Sequence, residues 1–574
     1  MRVSSPLPLM NAEPLTAAEP ACGDGELSDG ERCDEGNTDP HDGCSANCQA
    51  EAGWGCDETS ECSSVLCAQN QRVVNNACEA CPEGSTNAGG DAADGADTLC
   101  QDACTEVLGV HCSEFEQGYL KASNTGREDA FGSSVSLSGD TLAVGVRRED
   151  SSTNLRYSPR SANVTGPYAV FEPDDAAIDS GAVYVFVRSG ETWEQEAFLK
   201  AADAAEGDGF GTSVSLHGDR LAVGAPSKDE STEIQGSAAV YMFMKHGYVW
   251  EQRQQLTAAF PATNDLFGWS VSLHGDTLAV GVVGDEGAFS GVADQRGVAS
   301  PSPSLSPDES PARLDDSGAV YVFTVDGERW EPQSYIKASD LEAFDRFGSS
   351  VSLFGNTLAV GAPIASGIRG AAYVFARAGD TWTEQAIVEA SNSRSLDNFG
   401  ASVSLFEDTL AVAAPSSGRL FGSGIDAFGV VYVFARDENT WTQQALINDP
   451  NLSLADGFGT SISLFGNTLA VGARSESSGR MGANSVRVGE EQLAFSSGGT
   501  YLFTRLDGGW SQQALVKASN AERGDGFGSS VSLSGNTLAV GAVGEASAAT
   551  GVNGDQGNNE APRSGAVYIR RIAP

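Results

Sequence analysis

Sevenfold recurrence, alternating apolar residues and turn dipeptides at fixed spacing predict an all-β chain. The fold they point to is a seven-bladed β-propeller of four-stranded antiparallel blades, closed by an N-terminal strand and preceded by a small disulfide-rich module. The recurring stretch is FGSSVSLSGDTLAVG at 131–145. It returns as FGTSVSLHGDRLAVG from Phe210, FGWSVSLHGDTLAVG from Phe267, FGSSVSLFGNTLAVG from Phe347, FGASVSLFEDTLAVA from Phe399, FGTSISLFGNTLAVG from Phe458 and FGSSVSLSGNTLAVG from Phe527. Repeats of this kind stack supersecondary units, because a single copy cannot bury its own apolar face.

Within the first copy, Val135 and Leu137 alternate with Ser134 and Ser136, the period-two pattern of a strand. Gly139-Asp140 is a hairpin turn signal, and Leu142 and Val144 continue as a second strand. After a variable stretch, SGAVYVF (180–186) reads as a third strand, rich in β-branched and aromatic residues. RSGETW turns the chain, and WEQEAFLKA (193–201) is the fourth. Small serines on the first strand suit a crowded axis, and larger residues suit the outer strands, which is the gradient of a radial blade.

Spacing fixes three of the four connections. Each FG phenylalanine lies 14 positions before the residue closing LAVG, as from Phe131 to Gly145. Each VYVF-type tyrosine that has a following tryptophan lies 9 positions before it, as from Tyr184 to Trp193, and that tryptophan lies 17 before the next FG phenylalanine. Only the segment between strands two and three varies, from 12 positions (Gly361 to Tyr373) to 40 (Gly281 to Tyr321). Free insertions in a circular repeat fall on one face, often the binding face. The sequence ends on SGAVYIRRIAP, a third strand with no fourth after it, while SEFEQGYLKAS (113–123) is a fourth strand with no blade before it. It aligns with WSQQALVKAS (510–519), with Glu114 at the tryptophan position. The complementary halves predict a closed ring, which removes exposed strand edges.

The FG…LAVGAP…GAVYVF…W pattern resembles the FG-GAP repeats of integrin α-subunit-like β-propellers. LAVGAP stands intact at 221–226 and 358–363, and the W-x-x-Q ending (Trp382 to Gln385, Trp441 to Gln444) is similar to the bacterial-type form. The resemblance covers about 113–574 and implies a role in extracellular recognition. Integrin-like blades often carry a D-x-D-x-D-G calcium loop between strands one and two. This sequence has only a two-residue turn there, as at Gly139-Asp140 and Glu407-Asp408, so no calcium set carries over to those positions.

The domain organisation read from composition is a flexible segment at 1–21, a cysteine-rich part at 22–112 and the propeller at 113–574. All 12 cysteines lie between Cys22 and Cys112, the mark of a small module held by covalent links. The stretch at 22–56, with CGDG, CDEGN, DGCS and GW before the last cysteine, resembles a cysteine-rich repeat of secreted myxobacterial proteins. The stretch at 67–100 resembles a short EGF-like or receptor-type module. Six disulfides fit the even total, with connectivity open. A four-thiolate zinc set at Cys78, Cys81, Cys100 and Cys104 is the rival reading. Asp34, Asn37, Asp39 and Asp42 crowd between Cys33 and Cys44, and oxygen ligands at that density are a candidate calcium site, although polar turns use the same residues.

The net charge of −44 argues against nucleic acid and anionic membrane surfaces, and suits cations, basic partners or salty water. No apolar run is long enough to span a bilayer. The N-terminal residues lack an apolar core, which makes them a poor signal peptide and leaves the export route open.

Catalytic motifs are sparse. The histidines are His41, His111, His217, His246 and His274, with no paired metal spacing, no G-x-S-x-G elbow and no P-loop. His217 and His274 share a repeat position that holds Ser138 or Phe354 elsewhere and is read as a surface turn. Asp129, Asp208, Asp265, Asp345, Asp397, Asp456 and Asp525 each precede an FG phenylalanine by two positions. A cation site at the channel mouth is one reading of that ring. Use in every blade favours the other, a carboxylate that bonds its own loop's N–H groups. The six strand-four tryptophans are expected between blades, and Trp269 replaces a small residue. The longest variable loops, at 146–179, 282–316, 474–497 and 543–563, are where binding is expected.

Two functions follow. One is an extracellular or cell-surface, bacterial recognition or adhesion protein, non-enzymatic, that binds a protein or glycan through the long loops of one face. The other is a secreted hydrolase or lyase acting on polysaccharide at the channel mouth.

Overall fold

The computed structural model describes residues 116–572, apart from 152–175, 228–237, 260, 263, 288, 295–313, 341, 366–368, 393–396, 417–428, 449–455, 478–494 and 507, and six short strands before residue 103. The chain divides into two compact units, 1–105 and 106–574. In the first, Trp54–Cys56 pairs with Cys62–Ser64, Gln71–Val74 with Ala77–Ala80, and Ser85–Thr86 with Gln101–Asp102, each an antiparallel ribbon. The cysteine side chains, and Asp34, Asn37, Asp39 and Asp42 with them, lie outside the described residues.

The second unit is the seven-bladed propeller that the repeat predicts. Blade 1 runs from Ser134–Ser138 through Thr141–Val146 and Ala182–Ser189 to Thr192–Leu199, an antiparallel meander in chain order. Six further sheets repeat it. Blade 7 combines Phe527–Ser534, Thr537–Ala542 and Ala566–Arg571 with Glu116–Leu120, in the register Tyr568↔Tyr119, so the N-terminal strand closes the ring. Blade 3 departs from the expected four strands. Gly291–Asp294, inside its long insertion, adds a fifth strand outside Arg329–Lys337.

The apolar cores lie between blades. Leu120, Val567 and Ile569 of blade 7 pack with Phe131, Leu142 and Tyr184 of blade 1 in one cluster, and the other junctions follow the same plan. Each FG phenylalanine meets the tyrosine of its own third strand edge-on, at 5.4 Å between ring centroids for Phe131 and Tyr184. The motif glycines make the junctions close. A Cβ on Gly145 would stand 2.1 Å from the carbonyl oxygen of Gly211 in the next blade, and Gly361 has Gly400 O at 2.0 Å. Ala413 replaces this glycine in blade 5, and its methyl group fills the junction toward Gly459.

The strand-one serines do more than fit a crowded axis. Ser136 Oγ accepts the N–H of Leu216 in the next blade at 2.9 Å, and Ser215, Ser272, Ser352, Ser404 and Ser463 repeat the bond around the ring. Ser532 accepts from Leu137 and completes the circle. The strand-four tryptophans bridge blades as expected. Trp382 Nε1 donates to Gln333 Oε1 and Trp441 Nε1 to Gln385 Oε1, both at 2.8 Å, which gives the W-x-x-Q ending its physical reason.

Candidate binding face

In a four-stranded meander, the two-to-three loops and the crossings to the next blade share one end, and the tight hairpins share the other. The long insertions therefore lie on one face. Their roots are built alike. At the base of blade 1's loop, Lys200 Nζ is 2.9 Å from Glu149 Oε2 and 2.6 Å from Ser180 Oγ. Lys337 meets Asp285 and Ser317 in blade 3, Lys517 meets Glu476 and Ser497 in blade 6, and Lys121 meets Glu545 and Ser564 in blade 7. These lysines stand at the end of strand four or one residue beyond it, the acids open the loop and the serines close it, so one ammonium ties both ends of the loop to the outer strand. All four pairs are buried. Burying an ion pair this deeply is tolerated only where its hydrogen bonds are satisfied. The four blades that have the set are the four with the longest loops.

Sequence reasoning missed these roots. Their signal is a lysine seven positions after the strand-four tryptophan position combined with an acid four positions after the motif glycine. Thr257, Glu389 and Asn448 stand at the lysine position in the three other blades.

The loop at 543–563 is described throughout. Ser547 Oγ donates to Asp555 O at 2.7 Å, Asn558 Oδ1 accepts from Ala548 N at 2.8 Å, and Asn553 exchanges bonds with the backbone of Tyr119. This loop is an ordered element fastened to the closing strand. Most of the other three long loops lies outside the described residues.

The aspartate ring is structural in the described residues. Asp129, Asp208, Asp265, Asp345 and Asp525 are buried, and each accepts the N–H of the residue three positions earlier, at 2.6–2.8 Å. Asp397 and Asp456 are buried as well. Burial pushes Asp265 and Asp525 up to about 7 and Asp345 to about 6. Among the described residues no group of three or more His, Cys, Asp or Glu side chains is arranged to hold a metal ion.

Trp269 stands where strand one begins, on the loop face, and is 43% exposed. In four other blades the residue after FG caps its own turn, as Thr212, Ser349, Thr460 and Ser529 do by donating to Gly209 O, Arg346 O, Gly457 O and Gly526 O. Trp269 gives up that bond, keeps the backbone bond to Leu266 O, and presents an indole to solvent.

At the hairpin end His217 and His274 stand half-buried beside their two-residue turns, as the sequence reading has it, and their side chains also pack on one another. Their rings stack at 4.8 Å, and the stack continues through Phe354, Phe406 and Phe465 at 4.8–4.9 Å in successive blades. His274 Nδ1 accepts Gly355 N–H, the bond that Ser138 and Ser534 make in their blades, and burial lowers its pKa. His246 is exposed in a three-to-four hairpin, and His41 and His111 lie outside the described residues.

A protein-family model described as FG-GAP repeat matches residues 115–158, 193–243, 250–297, 330–375, 382–434, 441–487 and 510–569. Each match runs from a fourth strand into the following blade, the phase in which the closing strand comes first. No curated protein matches the chain.

Proposed function

The chain belongs to the FG-GAP repeat family, and from that premise we propose that it is a non-enzymatic recognition or adhesion protein of the bacterial exterior or cell surface. It binds a protein or glycan through the long-loop face of the propeller. The observation that carries this reading is the asymmetry of that face. The four-strand framework recurs in every blade, yet blades 6, 7, 1 and 3 bear long loops on buried ionic roots, and blade 3 adds a fifth strand and an exposed indole. A rigid scaffold with variable loops is a common way to place a binding site, and an exposed tryptophan suits either a sugar ring or an apolar side chain. Extracellular placement is supported by the segregation of the cysteines into one short module. No helix among the described residues is long and apolar enough to cross a membrane.

The test is binding of the full chain to a panel of glycans and cell-surface extracts. Saturable binding without turnover is expected, weakened about tenfold by Trp269→Ser, the loss of one anchor contact, with the melting curve unchanged. Consumption of a panel member would overturn the reading in favour of an enzyme at the channel mouth.

A further inference from the structure

The hairpin end of the propeller carries an aromatic arc that breaks off. At the last residue of strand one, His217, His274, Phe354, Phe406 and Phe465 follow one another through blades 2 to 6, with ring centroids 4.8–4.9 Å apart. Blades 7 and 1 have Ser534 and Ser138 there instead. Strand one lies nearest the axis, so the arc borders the hairpin-side mouth of the channel and leaves a notch across two blades. Side chains at this position lean over the turn of the next blade, as the bonds of Ser138 to Gly218 N, His274 to Gly355 N and Ser534 to Gly139 N show. Phe465 therefore leans toward blade 7, where Ser534 offers no ring to meet it. It is 37% exposed, while Phe354 and Phe406 inside the arc are half-buried.

The floor of the notch is polar and open. Ser534 Oγ and Ser138 Oγ each accept one N–H, both at 3.0 Å, and neither hydroxyl donates to any of the described residues. A serine hydroxyl has one hydrogen to give, so two donors stand beside one uncovered ring face. A Cβ on Gly535, Gly139 or Gly218 would meet nothing within 4 Å, so the three turns that border the notch face open space. Charge decides against an anion. Arg188 and Arg220 pair with Asp140 and Asp276, but Asp219, in the turn that Ser138 bonds, has no ion pair among the described residues.

We propose that this notch binds a small, uncharged phenolic compound. Its ring continues the arc against Phe465, in the tilted or offset packing that aromatic rings prefer, and its oxygen accepts the hydroxyl hydrogen of Ser534 or Ser138. The notch is two blade positions wide and bounded by Phe465 and His217, which suits a free molecule of one or two rings. A saturated ring of the same outline loses the aromatic contact, and a plain hydrocarbon ring leaves both hydroxyls without an acceptor. The site lies on the face opposite the long loops, so it is separate from the binding proposed there.

The experiment is a titration of the full chain with p-cresol, read by saturation-transfer NMR on the ligand. A parallel titration uses 4-methylcyclohexanol, which keeps the outline and the oxygen but has no aromatic ring. Saturable binding of p-cresol is expected, about tenfold tighter than that of the saturated ring. Phe465→Ser is expected to weaken it about tenfold, the loss of one ring contact. Ser534→Phe gives blade 7 the residue that blades 4, 5 and 6 carry, extends the arc over the site, and is expected to abolish binding with the melting curve kept. Trp269→Ser, on the opposite face, is expected to leave binding unchanged. No saturable binding of p-cresol, equal binding of 4-methylcyclohexanol, binding indifferent to Phe465→Ser or Ser534→Phe, or binding lost with Trp269→Ser overturns the proposal.

Discussion

Lys200 and Glu149 illustrate what a single residue carries in this molecule. Both side chains are almost wholly buried, at 1% and 2% exposure. Lys200→Met leaves the carboxylate buried without its counter-ion, which costs about 3–5 kcal/mol. Denaturant melts are expected to record that loss, and Lys200→Met combined with Glu149→Leu is expected to recover most of it, since an apolar pair of similar volume avoids the desolvation penalty. Asp525 gives a prediction of opposite character. Burial raises it to about 7 from an ordinary 3.8, with Glu545 and Glu522 acting in the same direction. Its folded form therefore binds the proton more tightly than the unfolded chain does. Stability falls as pH rises from about 4 to about 7, because the folded state loses a proton that the unfolded state has already released. Thermal melts are expected at higher temperature at pH 5 than at pH 8, and Asp525→Asn is expected to flatten that slope. The aspartate positions were legible in the sequence as a recurrent ring. Their raised pKa values were not, because they depend on burial and on acids that reach them only in the folded blade.

At the scale of the blade, the sequence was legible wherever a contact repeats at constant spacing. The four strands, the hairpins and the tryptophan bridges all recur in register, so sevenfold repetition stands in for what one copy leaves open. Gly361→Ala tests the closeness of the junctions. The new methyl group would meet Gly400 O at 2.0 Å, and overpacking of this kind costs about 1–3 kcal/mol. A lower urea midpoint is the expected result, with a smaller change for Ala413→Gly, where the blade 5 junction already accommodates the methyl group. The elements that escaped sequence reasoning join positions separated by variable insertions. The Lys337–Asp285 root spans 52 positions and the Lys200–Glu149 root 51, with insertions between them that share no pattern. The fifth strand of blade 3 is hidden for the same reason, since Gly291–Asp294 lies in a loop without a counterpart in other blades. The serine ring was legible as composition and not as bonding, because period two says which side a residue faces and nothing about the N–H opposite it.

For the whole molecule, the closure of the ring was the strongest inference from sequence, drawn from an orphan strand at one end and a missing one at the other. It makes a prediction for truncations. Removing residues 1–121 takes away Glu116–Leu120 and Lys121, exposes the edge of Ala566–Arg571 and leaves Glu545 buried without its counter-ion. That chain is expected to aggregate in light scattering, since an open strand edge invites pairing with another copy, whereas a chain beginning at residue 106 is expected to fold. The seam also governs how the propeller bears load. Glu116 faces Arg570, and Leu120 faces Val567. A force drawing residue 116 away from residue 571 would peel the two strands apart, breaking their bonds one after another from that end. The buried Lys121–Glu545 contact lies at the far end of the seam, so it is the last point to yield. The strength of this ring under load therefore depends on where it is held: pulled by its two strand ends it unfastens like a zip, and pulled across its faces it shares the strain among seven sheets.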